Sequence, residues 1–312
     1  MRALRFLLPL LLFFMLVPIS IAQLTEGERA AISIEHGFEI TPNITYFEGN
    51  NYEAKLDVYR PRGAKSPTPV VLLIHGGGWV AGEKEHNALE GLPYMEMGFA
   101  VVNVEYRLAK VSLAPAAVED CLCALRWIGR NAKEYNLDLT KIITSGGSSG
   151  GHLALTTGMI PASAGLDAEC SFRGEWSAGS TKEELPKVAA IINWYGITDV
   201  ADMLQGPNSR TYAISWFGSL PDREEIARRV SPLTYVRPGL PPIITIHGDA
   251  DPVVPYSNAV RLHEALDKAG VRNQLVTIPG GGHGGFGDEQ QIKAFEAIKV
   301  FLAGAGITPV AK

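Results

Sequence analysis

Six short, mostly apolar runs punctuate the middle and end of the chain, at residues 70–74, 100–104, 141–145, 188–193, 243–247 and 274–278. Each is rich in Val and Ile and bounded by Gly, Pro or Asp. Apolar residues in consecutive positions predict strands buried on both faces, as in a parallel sheet. Between these runs the apolar spacing changes to threes and fours. Val118, Cys121, Leu122, Leu125 and Ile128 make one stripe behind Pro115, a favoured helix start. Further helices are predicted from near Ser149, from near Ser257 and over residues 288–302. The alternation of strand and helix predicts an α/β fold with a doubly wound sheet. Upstream, residues 43–46 and 52–59 predict antiparallel strands at the sheet edge.

Two stretches are more than connectors. Residues 159–187, rich in Gly, Ser and Ala, read as a long surface loop. Residues 199–235 carry Met203, Tyr212, Trp216 and Phe217 among polar neighbours. That segment suits either a small lid or an excursion whose aromatics pack on the core.

The first 22 residues stand apart. Arg2 and Arg5 precede an apolar run over 6–17, and Ser20-Ile21-Ala22 is a small-x-small cleavage pattern. This predicts a signal peptide cut before Gln23, a single catalytic domain over 23–312, and a secreted or periplasmic location. The apolar run is shorter than the about 20 residues a bilayer span needs, so no stable membrane association is expected after cleavage. A chain of 312 residues with net charge −5 suits one α/β domain and excludes nucleic acid as a natural partner. Of three cysteines, Cys121 and Cys123 point to different sides of one helix. Cys170 has the option of pairing with either, but three buried thiols is the favoured reading. No Cys/His spacing resembles a metal site.

The chemistry-bearing motif is Thr144-Ser145-Gly146-Gly147-Ser148-Ser149-Gly150-Gly151-His152. A serine flanked by glycines between strand and helix is a nucleophile elbow. Two registers are open, with Ser148 or Ser149 at the turn. The first is preferred because it leaves the Ser149 N–H to face an oxyanion. His75-Gly76-Gly77-Gly78-Trp79 follows another strand and offers bare backbone amides for the same purpose. A serine needs a base. Among seven histidines, His283 stands out, set in Gly280-Gly281-Gly282-His283-Gly284-Gly285 after the last strand. His75 and His152 read as bracing groups. The acid that orients the imidazole is sought in His247-Gly248-Asp249-Ala250-Asp251-Pro252, where Asp251 is preferred to Asp249.

These motifs together resemble the α/β-hydrolase fold. The chain is similar to secreted bacterial carboxylesterases of the acetylxylan and feruloyl esterase kind, related to hormone-sensitive-lipase-type esterases. The likeness spans about residues 53 to 302, with Leu56-Asp57-Val58-Tyr59, Tyr106-Arg107-Leu108, Trp194-Tyr195-Gly196 and Ser231-Pro232 adding to the motifs above. It implies catalytic Ser148, Asp251 and His283, oxyanion donors Gly77, Gly78 and Ser149, Trp79 lining the substrate pocket, and no metal or cofactor. Ser149 stands where such esterases usually carry alanine, which keeps the N–H. The expected reaction is hydrolysis of small-molecule or polysaccharide esters through an acyl-enzyme. An arylformamidase-like or peptidase-type amide hydrolase, or a non-catalytic binding protein, are the alternatives.

Overall fold

Strand β3 (Thr68–Ile74) shows why the sheet has two apolar faces. Val70, Leu72 and Ile74 join one buried cluster while Val71 and Leu73 join another on the opposite side. A strand with a core on either side buries both sets of side chains, hence the apolar run from Pro69 to Ile74. The computed structural model describes residues 24–49, 51–168, 170 and 185–308. The leader expected at 1–22 and half of the Gly/Ser/Ala-rich stretch lie outside the described residues.

The sheet has eight strands among the described residues: β1 (Phe38–Gly49), β2 (Tyr52–Pro61), β3, β4 (Ala100–Val104), β5 (Leu137–Gly147), β6 (Val188–Trp194), β7 (Ile243–Gly248) and β8 (Asn273–Ile278). Their order is β1-β2-β4-β3-β5-β6-β7-β8. β1 and β2 pair antiparallel at the edge, β2 meets β4 antiparallel, and every later pairing is parallel. The chain leaves β3 toward β4 on one side, and β5 then adds on the other. Such a reversal opens a crevice at the carboxyl ends of the strands, where the loops diverge.

Helices α1 (Glu26–Gly37), α2 (Leu92–Glu96), α3 (Ala116–Tyr135), α4 (Ser149–Met159), α5 (Thr211–Phe217), α6 (Arg223–Val230), α7 (Ser257–Lys268) and α8 (Asp288–Gly304) complete the fold. α3 and α4 bury their apolar stripes on one sheet face, and α2 and α8 cover the other. α1 escapes the hydrophobic pattern because none of its residues is buried, although Thr25 and Glu28 form a capping box at its start. In the 199–235 segment Met203, Trp216 and Phe217 are fully buried against the main core, while Tyr212 is half-buried. Val200, Ala213, Ala227 and Val230 are buried in the same core, so the segment anchors inward along its length and presents one aromatic ring to the crevice.

Two buried ion pairs account for motif residues without a place in the chemistry. Asp57 on β2 takes the ammonium of Lys84 at 3.0 Å. Arg107 after β4 holds Asp120 of α3 through Nε at 2.9 Å and Nη2 at 2.8 Å. Each pair ties a loop to a rigid element, and removing one partner would strand a buried charge.

The cysteine reading needs correction. Cys123 of α3 is bonded to Cys170, with Cα atoms 5.0 Å apart, and only Cys121 is a free buried thiol. Helical spacing separates Cys121 from Cys123, as expected, but says nothing of a segment 47 residues away that returns across α3. Burial pushes the Cys121 thiol well above the usual range, so it stays protonated and inert. Cys170→Ser should lower stability by about 2–4 kcal/mol, since it releases a long loop in the unfolded chain. Thermal melts with and without reductant should show the variant already at the reduced protein's melting temperature.

Candidate active site

Ser148 sits between β5 and α4 with φ 57° and ψ −121°, a conformation that L residues rarely adopt. Its surroundings impose it. A Cβ on Gly146 or Gly150 would collide with the Ile74 carbonyl oxygen at the end of β3. Only glycine lets the turn pass that close to the neighbouring strand. The Ser148 N–H donates to the Trp194 carbonyl at 2.9 Å, fixing the turn to β6 as well. Ser149, the other candidate, is completely buried at the first position of α4.

The structure brings Ser148, His283 and Asp251 together. His283 Nε2 lies 2.8 Å from Ser148 Oγ, and Nδ1 lies 2.8 Å from Asp251 Oδ2. The carboxylate only accepts, so Nδ1 carries the hydrogen and Nε2 presents a lone pair to the hydroxyl. Burial pushes Asp251 toward neutrality. It is outweighed by hydrogen bonds from His247, His283 and the Val254 and Val253 amides, which hold the carboxyl well below its usual range. Asp249 instead accepts the Gly280 N–H at 2.7 Å and braces the histidine loop.

Gly77 and Gly78 adopt φ 116° and 62° after β3. Among the described residues, no acceptor takes the amides of Gly77, Gly78 or Ser149. Ser149 at a helix start has no intrahelical partner for its N–H. Behind this loop His75 stacks on Tyr106 at 4.2 Å, and its Nδ1 donates to the Gly76 carbonyl at 2.7 Å. Tyr106 donates to the His75 carbonyl at 3.1 Å. Burial pulls His75 down to about 4, so it is a neutral brace at neutral pH.

Trp79 does not line the pocket, contrary to expectation. It is fully buried, stacked on Trp216 at 4.2 Å, and its Nε1–H donates to His152 Nδ1 at 3.2 Å. Trp79 has a positive φ of 61°, and its ring packs among His152, Tyr212 and Trp216. His152 in turn donates Nε2–H to the Val230 carbonyl at 2.7 Å, and burial pulls it down to about 4.

The crevice around Ser148 and His283 has a volume of about 370 Å³ and is bounded by Gly76–Gly78, Tyr195, Tyr212 and Val253. A second cavity of about 770 Å³ adjoins it, walled by the rings of Trp194, Tyr195, Phe286 and Phe295. Gly147, Glu90 and Tyr195 border both. Tyr195 also packs edge-on against His283, ring centres 4.8 Å apart. Sequence reasoning assigned no site role to Tyr195, Tyr212 or Glu90. The signal for Tyr195 was its place at the carboxyl end of a central strand, where open α/β sheets bind ligands. Among the described residues, no group of three or more His, Cys, Asp or Glu is placed to hold a metal ion, and no helix is long and apolar enough to cross a membrane.

Comparison with known proteins bears on this geometry. The family model described as BD-FAE matches residues 56–266, and the chain belongs to that family. Esterase LipC of Mycobacterium tuberculosis is 29% identical over 76% of this chain and 58% of its own length. The chain spans about half the length of the curated relatives it matches. Among solved structures, a truncated carbohydrate esterase from gut microbiota superposes with a TM-score of 0.72 at 28% identity, covering 87% of this chain and 98% of that one. The propionate-bound esterase Est2 of Thermogutta terrifontis gives a TM-score of 0.71 at 27% identity, covering 88% and 97%. The fold is that of the α/β-hydrolase esterases related to the hormone-sensitive-lipase type.

Two outcomes are expected. Ser148→Ala should lower p-nitrophenyl acetate hydrolysis by about 10⁴-fold or more, while Ser149→Ala keeps most of it; steady-state kinetics of both variants decide the register. His75 and His152 take a proton near 6.5 in the unfolded chain but only near 4 in the fold. Stability should therefore be full above about pH 6.5 and fall as the pH drops toward 4, by roughly 3 kcal/mol for each ring. Urea unfolding midpoints across that range measure the loss.

Proposed function

We propose that this BD-FAE family member hydrolyses carboxylic esters through a serine acyl-enzyme. The observation that carries this reading is the Ser148–His283–Asp251 hydrogen-bonded chain at a crevice that Gly77 and Gly78 also line. Ser148 Oγ attacks the carbonyl carbon as its proton passes to His283 Nε2. The carbonyl oxygen, now an oxyanion, accepts hydrogen bonds from the Gly77, Gly78 and Ser149 amides, each typically contributing about 10²–10³ in rate. The carbon–oxygen bond to the alcohol breaks as His283 returns the proton to the departing oxygen. Water then enters, gives its proton to His283 and attacks the acyl carbonyl; the Ser148 oxygen leaves with that proton, and the acid is released.

The substrates in this reading are short acyl or aromatic acyl esters of carbohydrates, met outside the cytoplasm after removal of the leader at 1–22. Three features support it. The crevice at Ser148 is small, at about 370 Å³. The adjoining cavity pairs aromatic rings with the carboxylates of Glu90, Glu96 and Glu296, a combination that suits stacking on a sugar or phenolic ring and accepting its hydroxyls. The similar solved structures include one named a carbohydrate esterase and one with propionate bound. In the same reading Tyr212 makes the 199–235 segment a wall of the site.

The test is a panel of p-nitrophenyl esters from acetyl to palmitoyl, with methyl ferulate and acetylated xylan. The expected kcat/KM is highest from acetyl to butyryl, with turnover of at least one of the two plant-type esters. A maximum at long chains would replace this reading with a lipase.

A further inference from the structure

Asp251 carries an interaction that the relay does not use. Its Oδ2, which accepts the Nδ1–H of His283, also lies 3.2 Å from Nε2 of His247. His247 stands near the end of β7, and its side chain and that of Asp251 are both completely buried. The same Nε2 is 3.0 Å from the Val254 carbonyl oxygen. A carbonyl only accepts, so Nε2 carries the hydrogen and donates it to Val254, with Asp251 Oδ2 3.2 Å from the same nitrogen. Nδ1 of His247 is buried with no partner among the described residues, so a second proton there would have no acceptor. The ring is thereby held as its Nε2–H tautomer, with the positive end of that N–H dipole beside the carboxylate.

The other carboxylate oxygen is already committed. Oδ1 accepts the Val253 and Val254 amides at 2.7 and 2.9 Å. Oδ2 is thus divided between two imidazoles, one in the crevice and one in the core. The remaining titratable groups facing Asp251 are the phenols of Tyr195 and Tyr212. Arg210, the nearby cation, spends its donors on the carbonyls of Val253, Pro252 and Ser209 rather than on the carboxylate. His247 is therefore the side chain that competes with His283 for Oδ2.

We infer that His247 is a positioning residue: its Nε2–H fixes the rotation of the Asp251 carboxylate and tempers the pull of Oδ2 on the His283 proton. A carboxylate relieved of that competing donor holds an imidazolium more tightly. Activity that depends on this base would then set in at a higher pH. The inference rests on the proposed serine relay.

The experiment compares His247→Leu, which keeps bulk and loses the donor, with His247→Gln, whose amide N–H reaches a similar position. Both are measured as kcat/KM for p-nitrophenyl acetate from pH 4 to 9, alongside thermal melts. His247→Leu should move the acidic limb up by about half a pH unit or more and lower kcat roughly tenfold with KM little changed. His247→Gln should keep the wild-type limb. Loss of rate in His247→Leu with an unmoved limb, or equal displacement in both variants, overturns the inference. If His247→Leu does not fold, His247→Asn, too short to reach Asp251, takes its place with the same expected limb. If Ser148→Ala keeps its activity, the relay itself falls; with Ser148 essential and the limb fixed, only the role of His247 falls.

Discussion

The closeness of the Ile74 carbonyl to the turn between β5 and α4 is the constraint on which the rest of this site is built. Two adjacent parallel strands end side by side, and the turn leaving one must pass over the last peptide of the other. Gly146 and Gly150 are the points of contact, and neither can carry a side chain. The turn is consequently sharp, and Ser148 is left in an uncommon conformation that the surrounding sheet maintains. The same packing puts the loop after β3, with its glycine amides, directly alongside the hydroxyl. The proposed nucleophile and oxyanion donors thus share one mechanical support.

Histidine is used in contrasting ways around that support. His75 and His152 are buried, neutral at neutral pH and committed through both hydrogen-bond direction and ring packing. His75 stiffens the glycine loop from behind. His152 links the elbow helix to Trp79 and, through the stacked Trp216, to the segment after β6. His283 alone of these three has a lone pair directed at a hydroxyl in an open crevice. Chemistry is assigned by surroundings rather than by residue type.

Much of this was legible in the sequence, for identifiable reasons. The buried strands announced themselves because both faces are apolar, and glycine clusters marked the turns because their backbone geometry excludes other residues. Ser148, Asp251 and His283 could be placed because each follows the carboxyl end of a parallel strand. What escaped notice depends on side-chain direction or long-range return. The family resemblance alone places Trp79 in the pocket, yet its φ is positive and its ring is fully buried in the core. The Cys123–Cys170 bond joins segments whose approach no local pattern encodes. α1 has no fully buried residue and touches the core through half-buried Ile34, so its apolar signal is weak beside that of the buried helices.

Gly78 touches the 199–235 segment: a Cβ there would strike the side chain of Tyr212. The ring that bounds the crevice therefore rests on the Gly78 peptide. On the proposed mechanism that peptide is an oxyanion donor, so access and transition-state stabilisation would be mechanically joined at this contact. An ester bulky enough to displace the phenol would then disturb the amide cradle as it enters, and crowding would lower turnover as well as affinity.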